Sequence, residues 1–429
     1  MNAISEQINL GKPEPSPLFR WIVLVLISLA MFGNYYVYDS IATIADLLKK
    51  DLGFSDENIG QMYSIYSIAA IFILILGGIF IDKYGTKISV LLFGIICTVA
   101  AVVPTLTSDL SVMLFGRLLL GVGAEPLIVA ITTALAKWFK GKELSFAFGI
   151  NLTIARLGSV AADNSPTWAS GFYINWHDPL VLSAIISLSC AIGGIAYWLL
   201  ETWAEKNYSM GQAGATDKFV LSDLFKFSKS FWYIVALCIT FYSAIFPFRS
   251  FAIKFFMEFH GASREFAGFL NSLLPISAMI ATPLFGLFVD KVGKRAFFMM
   301  VGSILLLPVY LMFIYSGISL YVPITMMGIA FSLIPAIMWP SVAYIVDQKR
   351  LGTAYSVMTL IQQIGLAGFN WLIGAANDYG GASVQNPVGY KYGMWIFSIL
   401  GFFGLLFSYL LRKSETGPNG HGLENPTVH

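Results

Sequence analysis

The sequence predicts an all-α membrane protein with twelve transmembrane helices. Hydrophobic residues make up 57% of the 429-residue chain, charged residues only 12%, and the apolar residues lie in long runs. A soluble domain carries about twice that charge fraction, and a helix needs about 20 mostly apolar residues to cross the hydrocarbon core. The lipid bilayer is therefore the first predicted partner. A soluble protein with an unusually large core is the disfavoured alternative.

The apolar runs form two sets of six spans on either side of a polar stretch. The predicted spans are 19–45, 59–82, 88–105, 110–137, 143–170 and 179–201, followed by 231–258, 265–289, 295–315, 319–346, 353–376 and 390–411. These spans predict an N-terminal six-helix bundle over 19–201 and a C-terminal six-helix bundle over 231–411. Residues 1–18 are a predicted cytoplasmic segment without the features of a signal peptide, and 202–230 a predicted cytoplasmic loop. Residues 412–429, rich in Gly, Pro and Asn, are a predicted disordered cytoplasmic tail.

Lysine and arginine predict the orientation of the chain. With both termini in the cytoplasm, eighteen of the 26 Lys and Arg residues lie on the cytoplasmic side, four lie on the other side and four lie inside spans. Cytoplasmic loops carry the excess of positive charge in membrane proteins. The distribution therefore favours an even number of spans and two cytoplasmic termini.

The remaining composition argues against enzymes and nucleic-acid binders. Cys97, Cys190 and Cys238 each lie in an apolar run without a partner at metal-ligand spacing, which predicts buried free thiols. The sequence has no nucleotide-binding loop, metal-ligand cluster or nucleophile with a base. We therefore expect no enzymatic activity, cofactor or metal, and the net charge of +2 predicts no nucleic-acid partner.

A short motif occurs once in each half. Residues 78–87 read Gly-Ile-Phe-Ile-Asp-Lys-Tyr-Gly-Thr-Lys, and residues 286–295 read Gly-Leu-Phe-Val-Asp-Lys-Val-Gly-Lys-Arg, a shift of 208 positions. We call them the first and second signature loops. The second glycine permits a tight turn, and the aspartate can bind a basic group or a helix N-terminus. Repeated six-helix halves are typical of transporters whose substrate site lies near the midplane.

The signature loops resemble the loop between the second and third helices of the major facilitator superfamily. This resemblance implies a fold of two pseudo-symmetric six-helix bundles and a gating role for the loops on the cytoplasmic side. The residues expected to form the gates are Gly78, Asp82, Lys83, Gly85 and Lys87 in the first half and Asp290, Lys291 and Gly293 in the second.

Four further stretches resemble one branch of that superfamily, the family of major facilitator superfamily domain-containing protein 1. They lie within 121–143, 155–159, 246–256 and 339–355. The resemblance implies alternating-access movement of dipeptides by uniport. No acidic dileucine signal or externally accessible glycosylation sequon is present. The sequence therefore implies no accessory subunit, and we expect a monomer in a prokaryotic plasma (inner) membrane.

Two opposite charges in neighbouring spans are the first candidate substrate-binding residues. Glu125 lies about fifteen residues into the fourth predicted span and Arg156 about thirteen into the fifth, at similar depth for a rise of about 1.5 Å per residue. Charges inside a membrane usually face a partner or a wet cavity. The pair could be a structural salt bridge. The resemblance instead implies that Glu125 and Arg156 contact the dipeptide.

Other charged residues inside the spans have competing explanations. The resemblance implies that Lys254 contacts substrate, although it could snorkel to the outer interface. Arg249 is expected to be structural or to act in gating. Arg117 resembles a buried arginine of the superfamily that is linked to proton coupling, but it could instead have a packing role. Asp163 could screen the charge of Arg156, line the outer vestibule or act in coupling.

Aromatic residues complete the predicted site. Tyr38, Tyr63 and Trp339 are candidate substrate contacts, and the resemblance supports Trp339 in the tenth span. Most membrane aromatics serve packing or the interfacial belts, which is the alternative at each position. The favoured function is dipeptide transport. A proton-coupled symporter of a small organic anion or amino acid, with Glu125 or Asp163 as the proton site, is the first alternative, and a transport-inactive receptor is the second.

Overall fold

A computed structural model describes residues 12–139, 143–209, 221–418 and 420–426. Within these ranges the regular secondary structure is entirely helical. The helices are α1 (Pro17–Asp39), α2 (Ala45–Leu52), α3 (Asp56–Val102), α4 (Leu110–Phe139), α5 (Leu144–Asp163), α6 (Ser165–Trp168), α7 (His177–Asn207), α8 (Lys229–His260), α9 (Arg264–Val292), α10 (Arg295–Leu306), α11 (Val309–Tyr315), α12 (Tyr321–Ile345), α13 (Leu351–Gly380) and α14 (Lys391–Glu415). Short 3-10 turns lie at Ser40–Thr43, Val103–Thr105, Ser170–Phe172, Leu221–Lys226, Gln348–Arg350 and Pro387–Tyr390.

The described helices provide the predicted membrane crossings. Eleven helical segments of the described ranges are long and apolar enough to span a bilayer. Helix α3 has 47 residues and leaves helical geometry at Gly85 (φ 80°, ψ 171°). The kink at Gly85 divides α3 into two helices, which together contain about 70 Å of helix at about 1.5 Å per residue, more than twice the hydrocarbon thickness of about 30 Å. Helix α3 therefore contains both the second and the third predicted spans, which brings the number of crossings to twelve.

Local sequence explains several helix ends. Ser228 and Ser263 begin α8 and α9 with side-chain oxygens that accept from the backbone N–H groups of Phe231 and Phe266. Helix α8 ends at Gly261, which adopts the left-handed conformation (φ 65°) typical of a helix C-cap.

Two predicted spans are interrupted in the structure. The span 143–170 ends as α5 at Asp163, and a separate short helix begins at Ser165 with Pro166 in its first turn. The span 295–315 is divided into α10 and α11 around Pro308. Proline lacks a backbone N–H and clashes with the preceding turn, which accounts for the division at Pro308.

The chain forms two compact units. Unit 1 comprises 1–38, 72–159 and 180–216, and unit 2 comprises 39–71, 160–179 and 217–429. These units do not coincide with the predicted bundles 19–201 and 231–411, because parts of the first half belong to unit 2. The bundle boundaries remain sequence-based predictions.

Small residues allow the helices of unit 1 to pack closely. A Cβ atom added to Gly158 of α5 would overlap the backbone of Phe32 in α1, and one added to Gly94 of α3 would meet the carbonyl of Cys190 in α7. The Asn151 side chain also donates to the Ser28 hydroxyl over 2.8 Å, joining α5 to α1. Glycines and small polar residues are typical of such membrane-helix interfaces.

Helix α8 lies at the core of unit 2. Its Phe248 and Phe255 are buried among aromatic rings that include Tyr310, Phe313 and Phe397. A helix that is buried on nearly all sides lies inside a bundle rather than at its lipid-facing edge. The charged residues of α8 consequently need partners from the helices around it.

The polar segments differ partly from expectation. Helix α7 continues into the predicted central loop as far as Asn207, and the same loop contains a 3-10 turn at Leu221–Lys226. Residues 210–220 lie outside the described part of the chain. In the tail, α14 extends to Glu415 and the Leu423 side chain is fully buried. The composition of this segment predicted disorder, because one buried leucine has little effect on the average composition of a segment rich in turn residues.

The cysteine prediction is confirmed, since Cys97, Cys190 and Cys238 are all buried free thiols. Within the described residues no group of three or more His, Cys, Asp and Glu side chains could hold a metal ion.

Candidate functional site

Glu125 and Arg156 both belong to unit 1 and both lie within membrane-spanning helices. Glu125 is on α4 and Arg156 on α5, and each side chain is half-buried. The next residue, Pro126, packs against Gly77 of α3, which fixes this part of α4. Each charged residue engages in further interactions. Their placement in the membrane helices agrees with the sequence prediction, whereas their contact with substrate remains a prediction.

Arg117 holds the end of α1. Its guanidinium donates to the carbonyl of Val37 over 3.1 Å and to that of Tyr38 over 3.3 Å, and it lies 5.4 Å from the centre of the Tyr38 ring. The last carbonyls of a helix lack partners within the helix. These contacts give Arg117 a structural role and place Tyr38 beside it. The role of Arg117 in coupling and the contact of Tyr38 with substrate remain predictions.

Lys254 lies in a buried ion-pair cluster of unit 2. Its ammonium group donates to both carboxylate oxygens of Asp56, over 2.7 and 2.8 Å, and to the Tyr390 hydroxyl over 2.9 Å. Glu258 lies 3.4 Å away. The side chains of Lys254 and Asp56 are fully buried, so Lys254 does not snorkel to an interface. A substrate carboxylate can replace Asp56 only after that bond opens.

Lys49 adds a second cation on the same carboxylate. Its ammonium lies 3.3 Å from Asp56 and donates to the carbonyl of Ala382 over 3.0 Å. Desolvation lowers the pKa of Lys49, but the carboxylates of Asp56, Glu258 and Asp378 together raise it by more, and the resulting pKa lies above the ordinary lysine value. Lys49 is therefore a charged member of this cluster.

Arg249 bridges two buried carboxylates. Its guanidinium donates to Asp163 at the end of α5 over 2.8 Å and to Asp39 at the end of α1 over 3.3 Å. The Asn271 amide of α9 donates to the other oxygen of Asp163 over 2.7 Å. This geometry agrees with the structural or gating role expected for Arg249. It also places Asp163 with Arg249, a partner that the spacing of Asp163 from Arg156 did not suggest.

A third cluster lies at Arg264, the first residue of α9. Its guanidinium binds both oxygens of Asp46 in α2 and donates to the carbonyl of Thr43 over 2.7 Å. It also lies 5.6 Å from the ring centre of Tyr173. Burial raises the pKa of Tyr173, whose hydroxyl lies within hydrogen-bond distance of Thr43 and Ser165. These contacts tie α2 to the start of α9.

The N-terminus of α3 is capped by a distant aspartate. Asp378 of α13 accepts from the backbone N–H groups of Asp56 over 3.0 Å and of Glu57 over 2.7 Å. A carboxylate at this position satisfies free amides and the positive end of the helix dipole. Close packing of Gly374 against the Asp56 backbone supports the same contact.

The predicted aromatic contacts have different surroundings. Tyr63 of α3 is buried in unit 2 with only 1% of its surface exposed. The Trp339 indole of α12 donates to the Tyr242 hydroxyl over 2.9 Å and stacks against Tyr355 at a ring separation of 6.1 Å. Trp339 is half-buried. Packing and hydrogen bonding within unit 2 therefore account for both side chains, and substrate contact remains a prediction.

The first signature loop rests on acidic residues of α7. Thr86 donates to Glu201 over 3.0 Å, Lys87 pairs with Glu205, and Lys137 of α4 pairs with both glutamates. The loop residues Asp82, Lys83 and Gly85 are exposed, and Gly78 is half-buried. In the second signature loop Asp290 pairs with Arg295 over 2.8 Å, Lys291 is exposed, and Gly293 is buried with φ 72°. The positive φ at both Gly85 and Gly293 explains why the motif contains glycine there.

Sequence reasoning missed the partners of the buried cations. Asp46 and Asp56, like the capping residue Asp378, were not among the candidate residues, because each lies near the end of an apolar run and has the pattern of an ordinary helix terminus. Asp56 is 198 positions from Lys254. No local periodicity connects residues so far apart.

Comparison with known proteins places these features in a family. The model of the Major Facilitator Superfamily matches residues 27–255 and 248–427. The lysosomal dipeptide transporter MFSD1 of Danio rerio is 31% identical over 379 residues, covering 85% of this chain and 82% of the relative. The Homo sapiens protein of the same name is 31% identical over 382 residues, with the same two coverages. The Escherichia coli K12 hexuronate transporter is 24% identical over 179 residues, 42% of this chain and 41% of the relative.

Solved structures agree on the fold. The nucleoside transporter NupG superposes with a TM-score of 0.72 at 15% identity, covering 92% of this chain and 99% of NupG. A bacterial homologue of the human lysosomal transporter Spinster superposes with a TM-score of 0.71 at 15% identity, covering 93% of this chain and 98% of the homologue. The chain is thus a multi-pass membrane transporter and not an enzyme. It belongs to the Major Facilitator Superfamily and resembles its lysosomal dipeptide transporters.

Proposed function

We propose that this transporter moves dipeptides across the membrane by alternating access, as a uniporter. The observation that carries the proposal is the 31% identity to lysosomal dipeptide transporters over 85% of the chain. The opposite charges of Glu125 and Arg156 within membrane helices support it, since a dipeptide carries one charge of each sign.

In this proposal the two ends of the dipeptide are recognised separately. Glu125 binds the substrate ammonium, and Arg156 binds the carboxylate through charge-assisted hydrogen bonds. Lys254 joins Arg156 only in a conformation in which Asp56 has left it. Tyr38, Tyr63 and Trp339 are the candidate aromatic side chains that line the substrate site. Such a site requires both free termini and tolerates many side chains.

The orientation and the membrane are part of the same proposal. The excess of Lys and Arg in the segments on the side of the termini supports cytoplasmic termini. We propose a monomer in a plasma (inner) membrane. The dipeptide transporters named above are lysosomal proteins, so the membrane is decided by localisation of this chain rather than by similarity.

Competition by capped dipeptides in proteoliposomes tests the substrate. N-acetylation removes the substrate ammonium that Glu125 would bind, and a lost hydrogen bond to a charged group costs about 1.5–3 kcal/mol. Amidation does the same to Arg156. We expect each capped form to compete at least about tenfold more weakly than the free dipeptide, and Glu125→Gln and Arg156→Ala to nearly abolish binding.

Glu143→Gln is a matched control, because Glu143 lies just before α5, its side chain is 57% exposed, and its ion pair with Arg20 is long at 3.8 Å. It should compete and transport as the unmodified protein does. If both capped forms compete as well as the free dipeptide, Glu125 and Arg156 do not recognise its two ends.

One observation favours proton-coupled symport as a second candidate. The single guanidinium of Arg249 faces the two buried carboxylates of Asp39 and Asp163, so that these three groups carry one excess negative charge. An excess buried carboxylate can be neutralised by a proton. Symport predicts that an imposed pH gradient drives uptake and that Asp163→Asn abolishes this drive, whereas uniport predicts no drive.

A further inference from the structure

The C-terminal tail is bound to the second signature loop. We use "the C-terminal tail" for residues 415–426, of which the structure describes 415–418 and 420–426. The backbone N–H of Lys294 donates to the carbonyl of Glu424 over 3.0 Å, and that of Arg295 donates to the carbonyl of Leu423 over 3.3 Å. These residues are about 130 positions apart in the chain and meet through their backbones.

Glu424 also caps helix α10. The residue before this helix, Lys294, adopts the left-handed conformation (φ 54°, ψ 41°) and provides no side-chain cap. Instead, the Glu424 carboxylate accepts from the backbone N–H of Ala296 over 2.9 Å. The first amides of a helix lack acceptors within the helix, and a carboxylate there is favourable for the helix dipole. The tail supplies the cap that the loop sequence lacks.

The contact is tight and partly apolar. Leu423 is fully buried, and so is nearly all of Arg295, whose guanidinium donates to the carbonyl of Asn425 over 3.0 Å. A Cβ atom added to Gly293 would lie 2.6–2.7 Å from backbone atoms of Glu424 and Asn425. The second glycine of the motif therefore serves both the turn and the approach of the tail.

The tail has an ordered shape of its own. The side chain of Glu415 is fully buried and accepts from the backbone N–H of His421 over 2.8 Å, with the His421 ring Nδ1 2.9 Å away. Gly422 has φ +83°, and its carbonyl accepts from the N–H of Asn425 over 3.0 Å. These turns direct Leu423 and Glu424 toward the loop.

The first signature loop is held differently. Its Thr86 and Lys87 bind Glu201 and Glu205 on α7, the last helix of the first half. The shift of 208 positions that relates the two signature loops takes these two glutamates to Tyr409 and Lys413 on α14. Neither is acidic. The acidic residue at the end of α14, Glu415, binds His421. The tail brings Glu424 to the second signature loop instead.

We propose that the C-terminal tail is an intramolecular clamp on the second signature loop, performing for the second half what Glu201 and Glu205 perform for the first. Its release frees the start of α10 and the turn at Gly293. The clamp does not depend on the proposed dipeptide function. Only its effect on transport rate rests on that function, because the loop is expected to act in gating.

Hydrogen exchange of the full-length protein in nanodiscs tests the clamp without a substrate. Leu423→Asp removes the buried anchor, and Glu424→Ala removes the cap. We expect exchange of the amides over 293–299 to accelerate about 30-fold in Leu423→Asp, from the loss of one buried leucine, and about fivefold in Glu424→Ala, from the loss of one cap. The exchange rates of the amides over 85–91, the equivalent positions at the end of the first signature loop and just after it, should be unchanged in both variants.

Leu106→Asp is the matched control, since Leu106 is 72% exposed in a different loop. It should leave both loops unchanged. Unaltered exchange over 293–299 in a folded Leu423→Asp protein would overturn the clamp, as would equal acceleration of both signature loops. With the clamp established, a change in transport rate in Leu423→Asp links it to gating. An unchanged rate refutes that link alone.

Discussion

One ion pair of unit 1 and one of unit 2 join the same kinds of charged group but differ in solvent exposure. In unit 1, Lys87 pairs with Glu205, and their side chains are 25% and 38% exposed. In unit 2, Lys254 pairs with Asp56, and both side chains are fully buried. Exposed ion pairs contribute about 0–1 kcal/mol, whereas removal of one partner of a buried pair costs about 3–5 kcal/mol. The two pairs should therefore respond very differently to the same kind of substitution.

The difference bears on transport. Three ion pairs of unit 2 join residues 39–71 and 160–179, which belong to the predicted first half, to helices of the predicted second half. Transporters of this architecture move one half against the other around the substrate. A movement that separates these segments must break bonds to Arg249, Lys254 and Arg264. Such bonds can open only if new partners or water replace them.

The largest expected effect is at Lys254. Lys254→Met leaves the carboxylates of Asp56 and Glu258 without their main cation, and we expect a loss of about 3–5 kcal/mol in the free energy of unfolding. The double variant Lys254→Met/Asp56→Leu removes one stranded charge and should recover part of that loss. The measurement is unfolding in detergent. A single variant as stable as the unmodified protein would contradict the importance of this buried pair.

Arg264 should give an intermediate effect. Its bidentate pair with Asp46 is partly exposed, with side-chain exposures of 13% and 20%. Hydrogen bonds to charged groups contribute about 1.5–3 kcal/mol, and we expect Arg264→Met to lose that amount in the same unfolding assay. Arg264→Lys should recover only part of it, because an ammonium cannot form the bidentate contact. Full recovery by lysine would show that charge alone matters here.

Lys87 should give the smallest effect. Lys87→Ala removes an exposed pair and should cost at most about 1 kcal/mol. The cost should shrink further at about 1 M salt, where the screening length falls to about 3 Å. A loss of stability as large as that of Lys254→Met, or one that does not change with salt, would contradict the distinction between the Lys87–Glu205 and Lys254–Asp56 pairs.

Much of the fold was predictable because long apolar runs and membrane thickness leave few alternatives. The predicted span 319–346 corresponds to α12, Tyr321–Ile345, and 110–137 corresponds to α4, Leu110–Phe139. The sequence predicted a tight turn at the second glycine of each signature loop, and Gly85 and Gly293 have positive φ angles there. Hydropathy does not report where a helix is interrupted, so the ends of α5 and α10 were missed.

The candidate site was less predictable for a physical reason. The sequence shows that Lys254 and Arg249 are charges inside spans, but their partners are fixed by packing between distant segments. Lys254 has a helical neighbour in Glu258, four residues later, which local spacing could have suggested. The contact between Lys254 and Asp56 can be found only from the three-dimensional structure. The folded tail was missed because one leucine and one glutamate carry its contacts.

Substrate counterflow in proteoliposomes tests the central claim most directly, that this chain carries dipeptides by alternating access. Liposomes loaded with an unlabelled dipeptide and no pH gradient should transiently accumulate an external labelled dipeptide. Glu125→Gln liposomes should not accumulate it, and Glu143→Gln liposomes should. Saturable binding of the dipeptide without counterflow would contradict the account and identify a receptor. Accumulation that occurs only with an imposed pH gradient would contradict uniport and establish the proton-coupled alternative.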